Sequence, residues 1–307
     1  MAAEEYRDGV ALWTAVTARA KATATATGVE AGSVVRRFVF GRFLARVFQD
    51  ASSPWVLKGG TAVLARVHDA RTTKDVDLLH QLLDVDRAVD HLRAVVAIDL
   101  RDHFRFVITN VGRSVGGAGQ PGIDGCRVSV DAYCGAVKKT SFGVDLVAGS
   151  LMTTEPELCT DPVLELRGLE APTMRLYPVV DHIADKLCAT QVTYGTDGDR
   201  PSSRVRDLVD LVVFARSQDV DGAALMRAIQ GEWAHRGLSG APVFSPPPGW
   251  ERLYPPLARK TPVVADLASF LDAVTFVRAL LDPALDGTAA GRRWVAADGV
   301  WRDREVA

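Results

Sequence analysis

The sequence is poor in the features that would settle its class at once. Its 307 residues contain only four cysteines, Cys126, Cys134, Cys159 and Cys188, with no CxxC pair among them. That argues against a zinc ribbon or a disulfide framework and for reduced thiols in a cytoplasmic protein. No apolar run approaches the ~18 residues of a membrane span. The opening Met1-Ala-Ala-Glu-Glu is acidic where a secretory leader is basic. The 26 glycines and 15 prolines follow no period, which excludes a fibrous repeat, and no internal repeat is found. Net charge is only -2, so the chain cannot coat nucleic acid or an anionic membrane over its whole surface. Such a partner must meet a local patch, and no RRM, KH or zinc-finger motif is present. Lysine is scarce, at seven of 36 basic residues. This arginine bias, with abundant Ala and Val, reflects GC-rich coding rather than function.

What is present is ordinary for a folded protein. Hydrophobic residues make up 48% and charged residues 24%, enough apolar surface to offset the entropy of ordering the chain. The length allows one large or two medium domains. Helical spacing covers residues 4–26, 34–48, 62–67 and 86–96. Strand patterns cover 55–57, 76–79, 104–109, 127–133 and 142–147, with Gly-rich turns such as Gly116-Gly117-Ala118-Gly119 between them. From Pro178 onward the pattern is helical, over 179–193, 204–215, 223–235 and 267–281. A polar loop lies at 195–203 and a stiff Ser245-Pro246-Pro247-Pro248 connector further on. The expectation is an α+β fold: a mixed sheet with flanking helices over 1–175, then a mainly helical lobe over 176–307.

One segment carries chemistry. Lys58-Gly59-Gly60-Thr61 is followed, thirteen residues later, by Asp75-Val76-Asp77-Leu78. A strand ending in Gly-Gly lets the backbone approach a phosphate chain closely, because no Cβ intervenes. Thr61 adds a hydroxyl, and the helix that follows turns free N–H groups toward the same anion. Asp75 and Asp77 lie two apart on a strand, so both carboxylates point one way and Val76 points the other. Each feature alone is usually structural. Together, in an apolar context where two unpaired like charges are costly, they describe a phosphate cradle beside a divalent-cation site.

The pattern G-G followed by D-x-D resembles the DNA polymerase β-like nucleotidyltransferases. The longer stretch from Lys58 to Leu79, with an arginine shortly before the aspartates, is similar specifically to the AbiEii/AbiGii toxin family, which includes the mycobacterial MenT toxins. A second block supports the resemblance: Tyr177-Pro178, then His182-Ile183-Ala184-Asp185-Lys186-Leu187, then Arg204-Val205-Arg206-Asp207-Leu208-Val209-Asp210-Leu211. These motifs cover roughly residues 55–80 and 176–214.

The resemblance implies a polymerase β-like core and a site made of these residues. Gly59, Gly60 and Thr61 would hold a nucleoside triphosphate, with Lys58 and Arg71 as further phosphate ligands. Asp75 and Asp77 would bind Mg²⁺, as one of two metal ions, with Mn²⁺ as a substitute. A third carboxylate is expected on a neighbouring strand. Asp131 and Asp145 both qualify, and Asp145 matches the family's apolar strand better. Lys186, on the edge of an apolar helical stripe, would act as a point charge on the leaving pyrophosphate. Asp207 is the second-block aspartate expected in the site, with Asp210 structural. Thr73 stands where the family often has serine, in Arg71-Thr72-Thr73-Lys74-Asp75. Phosphorylation or nucleotidylation there would add negative charge beside the aspartates and block metal and nucleotide binding.

Between residues 36 and 74, eight Arg/Lys face two acidic residues, Asp50 and Asp69. This local excess suggests one electropositive face, extended by Arg200, Arg204 and Arg206, suited to RNA phosphates; two solvated helix faces are the competing reading. The resemblance points to tRNA as the acceptor, with nucleotides added at its 3′ end to stop aminoacylation and translation, and to a cognate antitoxin as partner. A monomer with no membrane contact is expected. The alternatives are transfer to a small molecule such as an antibiotic, transfer to a protein, or nucleotide binding without turnover. The nucleotide used, and the purpose of Trp294 and Trp301, are not legible at this level.

Overall fold

A computed structural model describes residues 6–50, 52–82, 84–113, 124–193 and 200–304. The glycine turn at 116–119 lies outside the described residues, as do the first five residues and part of the 195–203 loop. The chain opens with α1 (Gly9–Thr27), whose first turn is closed by the Asp8 carboxylate accepting from the Ala11 N–H, and which ends at Gly28 with φ +75°. There follow α2 (Ala31–Val47), β1 (Trp55–Lys58), α3 (Gly59–Arg66), β2 (Asp75–His80) and α4 (Val85–Val96). Then come β3 (Phe104–Arg113), β4 (Asp124–Cys134), β5 (Val137–Ala148), β6 (Glu157–Thr160) and β7 (Thr173–Leu176).

These strands form one seven-stranded sheet in the order β3-β4-β5-β2-β1-β7-β6. The pairs β2–β5 and β1–β7 are parallel and the others antiparallel, so the sheet is mixed. Alternation decides its two faces. Val76 and Leu78, Val128 and Val130, and Val144 and Leu146 pack with Leu12, Phe43 and Leu92 of the helices into one apolar core. The residues between them, Asp75 and Asp77, Arg127, and Asp145, therefore belong to the opposite face.

The second half is built from α5 (Val179–Gln191), α6 (Val205–Ser217), the short strand β8 (Val220–Asp221), α7 (Gly222–His235), α8 (Trp250–Ala258) and α9 (Phe270–Leu285). It closes with a hairpin, β9 (Arg292–Val295) and β10 (Val300–Asp303), which joins β8 in a three-stranded sheet. The expected α+β class is correct. Sequence patterning misses β6, β7, α8 and the final hairpin, because each is short and α8 carries Pro255 and Pro256. The hairpin explains Trp294 and Trp301: both are buried, with indole N–H groups donating to the Ala215 and Ala279 carbonyls at 2.6 and 3.1 Å. A second apolar core gathers α5 to α9 and the hairpin. Helix α3 belongs to both cores, through Ala62 and Ala65 on one side and Val63 and Leu64 on the other.

Six of the eight basic residues from Arg36 to Lys74 are paired or turned inward rather than spread on one electropositive face. Arg42 and Arg46 lie on a helix covered on both sides, and both are buried against Asp102, at 2.8 Å each. Arg37 pairs with Asp161 at 2.9 Å, Arg66 with Glu157 at 2.9 Å and Arg71 with Asp210 at 2.7 Å. Lys58 is turned inward, to Ser150. The local excess of charge is thus answered by carboxylates distant in sequence. Asp102→Ala would leave Arg42 and Arg46 uncompensated in the interior, at a cost of about 3–5 kcal/mol. A large fall in the denaturation midpoint is expected, whereas an exposed ion pair such as Arg93–Asp90 should change it by less than about 1 kcal/mol when broken.

Candidate active site

The site begins where β1 becomes α3. The helix starts at Gly59, three residues before the predicted 62, so Gly59, Gly60 and Thr61 form its first turn. Gly59 has φ +57°, and a Cβ there would stand 2.0 Å from Asp77 Oδ2. No other residue type fits beside that carboxylate. Its N–H donates to His182 Nε2 at 3.0 Å, so His182 on α5 fixes the strained turn. Burial, reinforced by the Lys186 charge, keeps the His182 pKa well below its usual value, which preserves the neutral acceptor. Gly60 is also confined, since a Cβ would lie 3.2 Å from Thr73 Cβ and 3.4 Å from Arg71 Nη1. The Thr61 hydroxyl donates to the Asp75 carbonyl at 2.9 Å, and Thr73 Oγ1 donates to the same oxygen at 3.2 Å. Both hydroxyls therefore hold the start of β2.

The carboxylates are aligned by strand register. In the parallel β2–β5 pair, Asp75 stands opposite Gly143 and Asp77 opposite Asp145. In the antiparallel β4–β5 pair, Arg127 stands opposite Asp145. Three carboxylates and one arginine thus share a small area of one sheet face. Arg127 Nη1 donates to both oxygens of Asp145, at 2.8 and 3.0 Å, and Nη2 donates to Asp75 Oδ1. Asp131 faces the same way but lies opposite Ser141, before the start of β2, where Lys138 and Ser141 hold it at 2.7 and 2.8 Å. Of the two candidate third carboxylates, Asp145 is the one beside Asp77.

Burial, and then the neighbouring Asp145 charge, lift the Asp77 pKa to about 6. Burial raises the Asp145 pKa as well, against the pull of Arg127. Behind them lies a layer of paired charges. Lys186 is buried and its Nζ donates to Asp207 at 3.1 Å and to Asp210 at 2.6 Å. Arg71 donates in bidentate fashion to Asp210, at 2.7 Å on each oxygen, and Arg204 pairs with Asp207 at 2.6 Å. Burial works against both ionised forms, but Asp207 and Asp210 outweigh it and hold the Lys186 pKa above its usual value. Lys186 and Arg71 likewise hold Asp210 down at about 2. Lys58 lies 4.1 Å over the Tyr177 ring with its ammonium on Ser150 at 3.0 Å, and burial lowers its pKa.

Sequence reasoning overlooked two residues of this arrangement. Arg127 could have been found as the polar member of the alternation Cys126-Arg127-Val128 on a strand beside a candidate carboxylate. His182 stood in a quoted motif without a role. Among the described residues no three His, Cys, Asp or Glu side chains converge as a ready-made metal cage. The donors on the sheet face are nevertheless all carboxylate oxygens, which suit Mg²⁺ or Mn²⁺. A positive charge already stands between two of them, the Arg127 guanidinium.

The sequence model of the nucleotidyl transferase AbiEii toxins of type IV toxin–antitoxin systems matches residues 42–287. This chain belongs to the AbiEii nucleotidyltransferase toxin family. The match spans β1 to α9 and so contains both motif blocks. No curated protein matches the chain significantly. Among solved structures it is similar to the nucleotidyltransferase toxin MenT4 of Mycobacterium tuberculosis, at 19% identity over 72% of this chain and 70% of that one, with a TM-score of 0.48. It is also similar to JHP933 of Helicobacter pylori, at 13% identity over 85% and 97% of the two chains and a TM-score of 0.42. No described helix of this AbiEii-family protein is long and apolar enough to cross a membrane.

The raised Asp77 pKa gives a stability signature with a definite sign. The folded protein holds this proton up to about pH 6, whereas the unfolded chain releases it near 4. Ionised Asp77 therefore costs stability as pH rises through that window, and the cost persists above it. In metal-free buffer, Asp77→Asn should raise stability by up to about 3 kcal/mol at pH 8 and leave it unchanged near pH 3. Melting curves of both proteins across this pH range, with chelator present, measure the effect.

Proposed function

We propose that this toxin-family protein is a Mg²⁺-dependent enzyme that transfers a nucleoside monophosphate from a nucleoside triphosphate to the 3′ end of tRNA. Such transfer would block aminoacylation and so halt translation. The observation that supports this best is the register that sets Asp75, Asp77 and Asp145 side by side, against the Gly59–Gly60 turn. In the reaction, the acceptor hydroxyl oxygen attacks the α-phosphorus. The bond to the bridging oxygen of the β-phosphate breaks, and pyrophosphate leaves with that electron pair. A bound divalent cation supplies Lewis-acid polarisation of the phosphate. Asp75 and Asp77 would hold it, and Asp145 would take the hydroxyl proton on a carboxylate oxygen.

The first turn of α3 presents the Gly60 and Thr61 N–H groups, which have no partner within a helix, to the triphosphate. Lys186, fixed by Asp207 and Asp210, is the internal positive charge for the pyrophosphate side. Lys74 is exposed and immediately precedes Asp75, as exposed Arg206 precedes Asp207, which suits an anionic acceptor entering from solvent. Membership of a toxin–antitoxin family also supports a cognate antitoxin as partner.

The test is incubation of the protein with Mg²⁺, total RNA and each of the four α-labelled triphosphates in turn. Label is expected in tRNA-sized RNA with at least one triphosphate. Asp75→Ala should reduce it by roughly two orders of magnitude or more. Label appearing on protein or on a small molecule, with none on RNA, would reassign the acceptor. No labelling of any acceptor would sink the enzymatic reading. Because Thr73 Oγ1 bonds the Asp75 carbonyl, a charged group there should disturb the start of β2. Thr73→Glu is expected to lose most of the transfer activity in the same assay, while Thr73→Ser keeps it.

A further inference from the structure

Arg127 is the one cation among the described residues that bonds two of the three site carboxylates, and its geometry is built into the sheet. Register places it across from Asp145, and it bonds Asp75 on the next strand but one. Room for it is made by Gly143, the residue opposite Asp75. A Cβ at 143 would lie 2.4 Å from Arg127 Nη2 and 2.7 Å from its Cζ. Unlike Lys186, which is sealed in the interior, the Arg127 side chain is 46% exposed. Its way into solvent is open, and the bonds that hold its guanidinium go to carboxylates that a divalent cation would also claim.

We propose that Arg127 is an internal counter-cation that holds Asp75 and Asp145 until nucleotide arrives, then moves onto the nucleotide's phosphates, so that metal ion and nucleotide bind together and neither binds well alone. The inference rests on the metal-dependent reading above. Three carboxylates on one face repel one another, and a guanidinium that forks across two of them lowers that repulsion. A metal ion arriving alone must displace this charge without offering it another partner. A triphosphate offers one, with more negative charge than a single carboxylate and with oxygens that match the planar guanidinium. Positive coupling between metal and nucleotide follows, and coupling of this kind spans 5–150-fold in affinity.

The experiment is titration with Mn²⁺ alone, followed by calorimetry or by the loss of its paramagnetic resonance signal. It is repeated with a non-hydrolysable triphosphate analogue present. Wild type is compared with Arg127→Met, which keeps the packing of the side chain, and with Gly143→Ala, which keeps the arginine but pushes its guanidinium away. Both variants should bind Mn²⁺ alone at least ~10-fold more tightly than wild type, and the gain from adding the analogue should shrink by a similar factor. If one variant does not fold, as judged by its melting curve in chelator, the other carries the test. Mn²⁺ affinity that is unchanged or weakened in the folded variants would overturn the counter-cation role. Asp75→Asn separates this from failure of the underlying reading. If Asp75→Asn binds Mn²⁺ as wild type does, the carboxylates are not the metal site at all. If it abolishes binding while the arginine variants match wild type, only the role of Arg127 is wrong.

Discussion

Three carboxylates that must share one face of a sheet impose the constraint to which the rest of this molecule responds. Register brings Asp77 beside Asp145, and burial raises the cost of ionising either. The fold answers with positive charge on two sides. Arg127 lies across the exposed side, and Lys186 with Arg71 stands behind. The rear cations are themselves neutralised by Asp207 and Asp210, so they are held in place while their field still reaches Asp77. The rear charges are thereby fixed before any ligand arrives, which is what electrostatic preorganisation requires.

That arrangement spans both apolar cores. Asp75, Asp77, Asp145 and Arg127 belong to the sheet, whereas His182, Lys186, Asp207 and Asp210 lie on α5 and α6 of the helical half. Helix α3 is the shared part, with Ala62 and Ala65 in one core, Val63 and Leu64 in the other, and its first turn in the site. The His182 bond to Gly59 is the most direct link between the halves, since a residue of α5 sets the backbone that clears the way for Asp77. A mutation far from the chemistry that shifts α5 would thus be felt at the glycine turn.

Much of this was legible in the sequence, for identifiable reasons. Asp75 and Asp77 were readable as a pair because a strand has period two, and Val76 between them went to the core as alternation requires. The helix boundaries of α2, α5, α6 and α7 were close because their apolar stripes are long. Register was not readable. Apart from the family resemblance that favours Asp145, nothing in the sequence states that Asp145 meets Asp77 while Asp131 falls before the start of β2, since strand pairing depends on contacts remote in sequence. Alternation could mark Arg127 as polar-facing, but its place opposite Asp145 is a matter of register. The inward arginines failed differently: Arg42 and Arg46 look like the polar side of an amphipathic helix, and only the Asp102 loop, some 56 to 60 residues on, turns that side into an interior.

The fate of those arginines bears on how an acceptor can be recognised. Of the eight Arg/Lys between residues 36 and 74, Arg37, Arg42, Arg46, Arg66 and Arg71 are committed to the chain's own carboxylates and Lys58 is turned inward to Ser150. That stretch therefore offers little charge to a nucleic-acid duplex, because non-specific attraction scales with the number of phosphates neutralised. An RNA acceptor gripped near its end would meet Lys74, next to Asp75 in sequence, and Arg127, bonded to Asp75 and Asp145. Selection would then rest on the shape and chemistry of a free terminus rather than on a long electrostatic track.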